Sequence, residues 1–141
     1  MSNEDAINVT RDQIHAFNEQ NWEKWSSVTI EDCIYDEVAT HKITKGRENV
    51  IEVMKAWKSA FPDVKGTIEN ITSDGVSTTT RVTWYGKHTG PLQTPNGDIP
   101  PTGKEIEIRS CYLAEVKNGK ITKFENYFDM MTMMTQLGLA N

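Results

Sequence analysis

The sequence predicts an α+β domain in which helices come first and an antiparallel meander follows. Two patterns carry this prediction. Apolar residues recur at helical spacing up to Phe61, and from residue 67 onward they alternate with period two. Pro62 marks the change of regime, and a second break, residues 89–103, holds four of the five prolines, Pro91, Pro95, Pro100 and Pro101.

Residues 5–18 form a first helix, with Ile7, Ile14 and Phe17 near helical spacing, and residues 21–28 a second that turns Trp22 and Trp25 inward. Residues 33–39 read as a short strand with Ile34, Asp36 and Val38 on one face and Tyr35 on the other. Gly46 opens a longer helix whose Val50, Val53, Met54, Trp57 and Phe61 make one apolar stripe. Pro62 ends it, because a proline ring cannot continue a helix. Strands follow at 67–73, 76–88, 104–116 and 121–129. The long connection 89–103 is too rich in proline for a floppy coil and predicts a shaped rim.

The last two strands form the most informative pair. In the first, Ile106, Ile108, Ser110, Tyr112 and Ala114 share one face, opposite Glu105, Glu107, Arg109, Cys111, Leu113 and Glu115. In the second, Phe124, Asn126 and Phe128 oppose Lys123, Glu125, Tyr127 and Asp129. A two-residue Asn118-Gly119 loop sets apolar against charged, whereas a three-residue loop with Gly119 left-handed sets apolar against apolar. The three-residue loop is therefore expected, with Ser110, Tyr112 and Asn126 as polar groups on an apolar surface and Tyr112 and Asn126 sharing one pocket.

A chain of 141 residues suits one domain, residues 1–141, and can bury a core. Fifteen Lys plus Arg against 20 Asp plus Glu give a net charge of −5, which argues against a nucleic-acid partner. The start, Ser2-Asn3-Glu4-Asp5, is acidic with no apolar run. No signal peptide, no membrane span and a cytoplasmic location are the expectation. Cys33 and Cys111 lie far apart without CxxC or Cys/His spacing, so no zinc site, no other metal site and no disulfide is expected.

The run Phe61-Pro62-Asp63, then His88-Thr89-Gly90, the stretch from Ile99 to Lys104, Asn118-Gly119-Lys120-Ile121, the stretch from Asn126 to Asp129, and Gln136-Leu137-Gly138-Leu139 resembles the SnoaL-like polyketide cyclase (ester cyclase) family of the nuclear transport factor two-like superfamily. The motifs cover nearly the whole chain in order. The resemblance implies a strongly curved antiparallel sheet that helices close into a cone around a central pocket, and a homodimer. The sheet face carrying Thr79, Arg81, Thr83 and Tyr85 suits that dimer contact. Relative to the family, residues 93–98 look like a small insertion at the pocket mouth. The family's proton shuttle is an aspartate seven residues after the turn glycine, with a histidine seven before it; this chain has Asn126 and Tyr112 there. An amide neither abstracts nor returns a proton, but amide and phenol both donate hydrogen bonds to a developing enolate.

The base must then lie elsewhere. His88 shares strand parity with Val82 and Trp84 and is the first candidate, Asp36 the second. Asp129, on the parity opposite to Asn126, is a third candidate and equally an N-cap for the Met-rich end. Cofactor-free epoxide hydrolases on this fold use an arginine between carboxylates, but Arg109 lies on the charged face beside Glu107. Trp57, Trp84, Ser110, Phe124 and Phe128 are the expected substrate-contacting residues, and Met130, Met131, Met133 and Met134 suit an adaptable apolar wall or helix packing. Three functions stay open: a cofactor-independent cyclase or isomerase acting on a polyketide-like or other hydrophobic carbonyl compound, a non-catalytic binding protein for small hydrophobic molecules, and an epoxide-hydrolase-like enzyme.

Overall fold

The computed structural model describes residues 2–140. Helix α1 (Asn3–Glu19) starts where Ser2 and Asp5 cap each other, the Asp5 amide donating to Ser2 Oγ at 3.1 Å and the Ser2 amide to Asp5 Oδ2 at 3.3 Å. Its buried stripe includes Ala6, Gln13, Ile14 and Phe17. Asn21 caps the short α2 (Trp22–Ser27). Strand β1 (Thr29–Glu37) is longer than predicted and leads through a 3-10 turn (Val38–Thr40) into β2 (Lys42–Lys45), which alternation did not reveal. Helix α3 (Arg47–Ala60) follows. Strands β3 (Lys65–Ser73), β4 (Ser77–Lys87), β7 (Glu105–Lys117) and β8 (Lys120–Phe128) form the meander, and α4 (Met130–Gln136) closes the chain. Among the described residues no helix is long and apolar enough to cross a membrane.

The six-stranded sheet has the order β2-β1-β8-β7-β4-β3. This corrects the expected antiparallel sheet to a mixed one, because β1 pairs with β8 in parallel. The strong curvature is also not carried over: the sheet is open, with β2 and β3 as its edges, and the helices cover one of its faces. Ile14 and Phe17 of α1 and Met54 of α3 pack with Val82, Ile106, Ile108, Tyr112 and Phe124 of the sheet in one buried cluster. Each such large apolar side chain contributes about 1.5–3 kcal/mol by leaving water.

The β7–β8 turn differs from the reading above. Lys117 pairs with Lys120, so the loop has two residues, and Asn118 and Gly119 both take positive φ, 53° and 77°. The pairing then slips between Glu115 and Val116, leaving Thr122 as an extra residue on β8. This bulge delivers the apolar match that a longer loop was invoked to provide.

The proline-rich connection is tied down at both ends. The His88 amide donates to Lys104 O and the Gly103 amide to His88 O, each at 2.8 Å, while the Thr89 and Gly90 amides both donate to Ala60 O at 3.1 Å. Between them lies a hairpin of β5 (Leu92–Thr94) and β6 (Gly97–Ile99), with Leu92 buried. Gly90 runs so close to the end of α3 that a Cβ there would sit 1.9 Å from Ser59 O.

Candidate active site

Between the helices and the sheet lies a cavity of about 80 Å³. Helix residues Gln13, Phe17 and Trp57 meet sheet residues Tyr35, Trp84, Tyr112, Asn126 and Phe128 around it, with Phe61 between α3 and β3. Among the described residues no Asp, Glu, Lys, Arg or His lines it. Most of these side chains are buried, whereas Trp57, Trp84, Asn126 and Phe128 are half-buried and mark where it approaches solvent.

Tyr112 and Asn126 are direct cross-strand partners and both face the cavity, the juxtaposition that strand parity predicts. They do not bond each other. The Tyr112 hydroxyl donates to Gln13 Oε1, and Gln13 Nε2 donates to Thr29 Oγ1 at 3.0 Å. Burial, and secondarily the nearby Cys33, raise the Tyr112 phenol well above its usual range, so it stays protonated with that proton engaged. Asn126 turns toward Tyr35, and its Oδ1 is buried without a partner.

The unforeseen element is Glu37, only 3% exposed, at the end of β1. It pairs in register with Asn126 on the neighbouring strand. Its Oε2 accepts from the Tyr35 hydroxyl at 2.8 Å and from Trp57 Nε1–H at 2.9 Å, and its Oε1 from the Thr40 hydroxyl at 2.7 Å. All three donors are neutral. The ion pair formed among the described residues, Lys24 with Asp12 at 3.6 Å, is exposed and elsewhere. A buried carboxylate therefore stands one hydrogen bond behind the cavity wall, reached through Tyr35. Burial first, and then the charge of and bond to Glu37, raise the Tyr35 phenol well above its usual range.

These placements revise several candidates. Asp36 is half-buried and turned away from the inward set Cys33, Tyr35 and Glu37, and neither it nor Asp36's neighbour Ile34 lines the cavity. The parity of β1 is thus the reverse of the expected one. His88 is fully buried but lies outside the cavity lining, packed 5.2 Å from the Phe61 ring. Its Nδ1 accepts the Thr102 amide at 3.1 Å, so the neutral ring carries its proton on Nε2, which has no partner. Burial foremost holds the His88 pKa below the usual value. Its place is that of a clip on the connection. Ser110 is occupied, accepting from Trp84 Nε1–H at 2.8 Å and donating to Val82 O at 3.3 Å. Phe124 sits behind the lining, stacked 4.5 Å from Tyr35.

Asp129 is exposed and caps α4 through the Met131 amide at 3.1 Å and the Thr132 hydroxyl at 2.6 Å, which hold its carboxyl below the usual range. Arg109 is exposed on the far face of the sheet and does not approach the cavity. Of the Met-rich terminal segment, Met133 lines the cavity, as Met54 of α3 also does, and Met131 is exposed. At one corner Lys58 Nζ donates to Val64 O at 2.6 Å and Asn18 O at 3.2 Å, 4.7 Å from the Phe17 ring centre. Burial foremost brings its pKa down to about 8.

The profile of the SnoaL-like polyketide cyclase family matches residues 8–137. Among solved structures, a candidate SnoaL-like polyketide cyclase from Jannaschia sp. CCS1 superposes with a TM-score of 0.87 at 15% identity, over 99% of this chain and 95% of that one. IdmH, a candidate polyketide cyclase from Streptomyces antibioticus, gives 0.80 at 23% identity over 94% and 98%. An epoxide hydrolase from M. tuberculosis, of the LEH-like type, gives 0.74 at 18% identity over 96% and 90%. At these identities the likeness establishes the fold. No curated protein sequence matches the chain.

Proposed function

The chain belongs to the SnoaL-like polyketide cyclase family, and from that premise we propose that it is a cyclase- or isomerase-type enzyme, needing neither metal nor cofactor, that moves a proton next to the carbonyl of a small hydrophobic compound. One observation carries the reading: Glu37, a buried carboxylate with neutral partners, is hydrogen-bonded to a phenol that lines an apolar cavity. The carboxylate that the family resemblance places at residue 126 stands one strand over, in register with Asn126.

In this mechanism Tyr35 Oη takes the proton from the substrate α-carbon while its own proton passes to Glu37 Oε2. The C–H electron pair becomes the enolate, and Tyr35 remains a phenol throughout, in keeping with its raised pKa. An N–H of the Asn126 amide donates to the enolate oxygen. In a cyclisation the enolate carbon bonds to a second carbonyl carbon, and the resulting alkoxide recovers the proton from Glu37 through Tyr35. In an isomerisation the proton returns to a different carbon. Glu37 thereby replaces His88 and Asp36 as the base.

The test is deuterium exchange at the α-carbon of acetophenone, followed by proton NMR with metal-stripped protein in heavy water. Exchange above the buffer rate is expected. Binding without exchange refutes the catalytic reading in favour of a non-catalytic binding protein, and exchange that needs added metal refutes the metal-free part.

A further inference from the structure

The Trp84 indole is held from three sides. Gly66 is its direct partner on β3, and a Cβ there would meet Trp84 Cζ3 at 2.6 Å and Cε3 at 2.8 Å, so the six-membered ring lies against bare backbone. Gly66 itself is fixed by Asn18, which donates to Gly66 O and accepts from the Gly66 amide, each at 2.8 Å. On the far side Ser110 Oγ accepts from Trp84 Nε1–H at 2.8 Å. The Phe17 ring meets the indole edge-on, 5.4 Å between centres at 90°. A tryptophan so held does not swing aside for a ligand as a loosely packed one would.

We propose that Trp84 is the residue that sets substrate size, and that the substrate class is an uncharged carbonyl compound entering with no more than a single ring. The proposal rests on the reading of the cavity as the reaction site. The cavity's 80 Å³ compares with the roughly 150 Å³ that takes up benzene. One ring enters when the half-buried Phe128 at the mouth gives way, while Trp57 stays tied to Glu37 through its indole N–H; fused rings also have to displace Trp84. Charge narrows the class further. The lining holds no cation to pair an anionic group, and the Glu37 carboxylate behind the wall repels one. Ser110 acts in this scheme as a positioning residue, working through Trp84.

The experiment is a calorimetric titration of the full chain with acetophenone, 1-tetralone and anthrone, ketones of one, two and three rings, repeated on Trp84→Ala, Trp84→Phe and Ser110→Ala. Wild type should bind acetophenone about ten-fold or more tightly than anthrone. Trp84→Ala should reverse that order, Trp84→Phe should admit 1-tetralone, and Ser110→Ala should narrow the acetophenone-to-anthrone ratio while acetophenone binding persists. If Trp84→Ala does not fold, Trp84→Phe and Ser110→Ala decide the matter. Equal affinity of wild type for all three ketones, no binding of any, or an unchanged ratio in the folded variants overturns the proposal. Ring-selective binding without α-proton exchange leaves the size filter standing and removes the catalytic reading; α-proton exchange at equal rates on acetophenone and 1-tetralone does the reverse.

Discussion

Replacing Glu37 with glutamine separates its role as a base from its role as a hydrogen-bond hub. The carboxylate accepts three bonds, from Tyr35, Trp57 and Thr40. A glutamine carbonyl keeps the first two, and its amide donates to the Thr40 hydroxyl, which accepts as readily as it donates. Each bond changes from a charged to a neutral acceptor, a loss of about 1 kcal/mol apiece, and the end of a buried charge offsets part of it. The net should be on the order of 1 kcal/mol, a fall in Tm of about 3–5 °C for a chain of this size. Glu37→Leu, by contrast, leaves three buried donors without an acceptor at about 1–3 kcal/mol each, and should unfold the protein or nearly so. For the chemistry, losing the final proton acceptor should cost about 10²–10⁴ in the exchange rate. Thermal melting and α-proton exchange on the same two variants are the assay. A glutamine variant with the wild-type exchange rate refutes the assignment of Glu37. One that melts as low as the leucine variant refutes the hydrogen-bond reasoning.

Tyr35→Phe should lower exchange by about 10² or more, since a phenyl ring cannot relay a proton, while ligand titration shows affinity nearly unchanged. Asn126→Ala should cost about 10² in rate with little change in affinity, and Asn126→Asp should not raise the rate; a gain on Asn126→Asp, measured side by side, would show instead that the asparagine marks a lost activity. His88 has a folded pKa below its unfolded value, so the unfolded chain binds the proton more readily and stability is complete above about pH 6.5 and declines as pH falls below it. Denaturant midpoints across that range should show the decline in wild type and its flattening in His88→Gln. Gly90→Ala places a Cβ 1.9 Å from Ser59 O and should destabilise the fold by about 3 kcal/mol in chemical denaturation.

The meander was legible because β7 and β8 alternate without ambiguity: one face is apolar, the other charged, and only one alignment buries Tyr112 with Asn126. Helix α3 was legible for the same reason at helical period, ended by Pro62. Strand β1 was not. Apolar residues stand on both of its faces, Cys33 and Tyr35 on one and Ile34 on the other, so alternation could not say which carboxylate, Asp36 or Glu37, points inward. The signal that could have decided it is β1's parallel pairing with β8, a tertiary contact that leaves no local trace. Gln13 was hidden differently, as a polar residue beside the apolar Ile14 on a helix whose buried stripe is wide enough to hold both. The hairpin within 89–103 rests on strands of three residues each, too short for periodicity to register.

The parallel pairing of β1 with β8 also bears on how the molecule comes into being. Glu37 belongs to the early part of the chain and Asn126 to its last strand, so the two meet only when nearly the whole chain has been made and its ends brought together. Hairpins such as β7–β8 close locally and early, whereas this pairing carries the loop-closure entropy of everything between and slows with it. A nascent chain still lacking β8 exposes one edge of β1 and an unroofed apolar surface, and it has no proton relay. The juxtaposition of Glu37 with Asn126 therefore arises as one of the last events of folding, and a partly made copy lacks the relay proposed above.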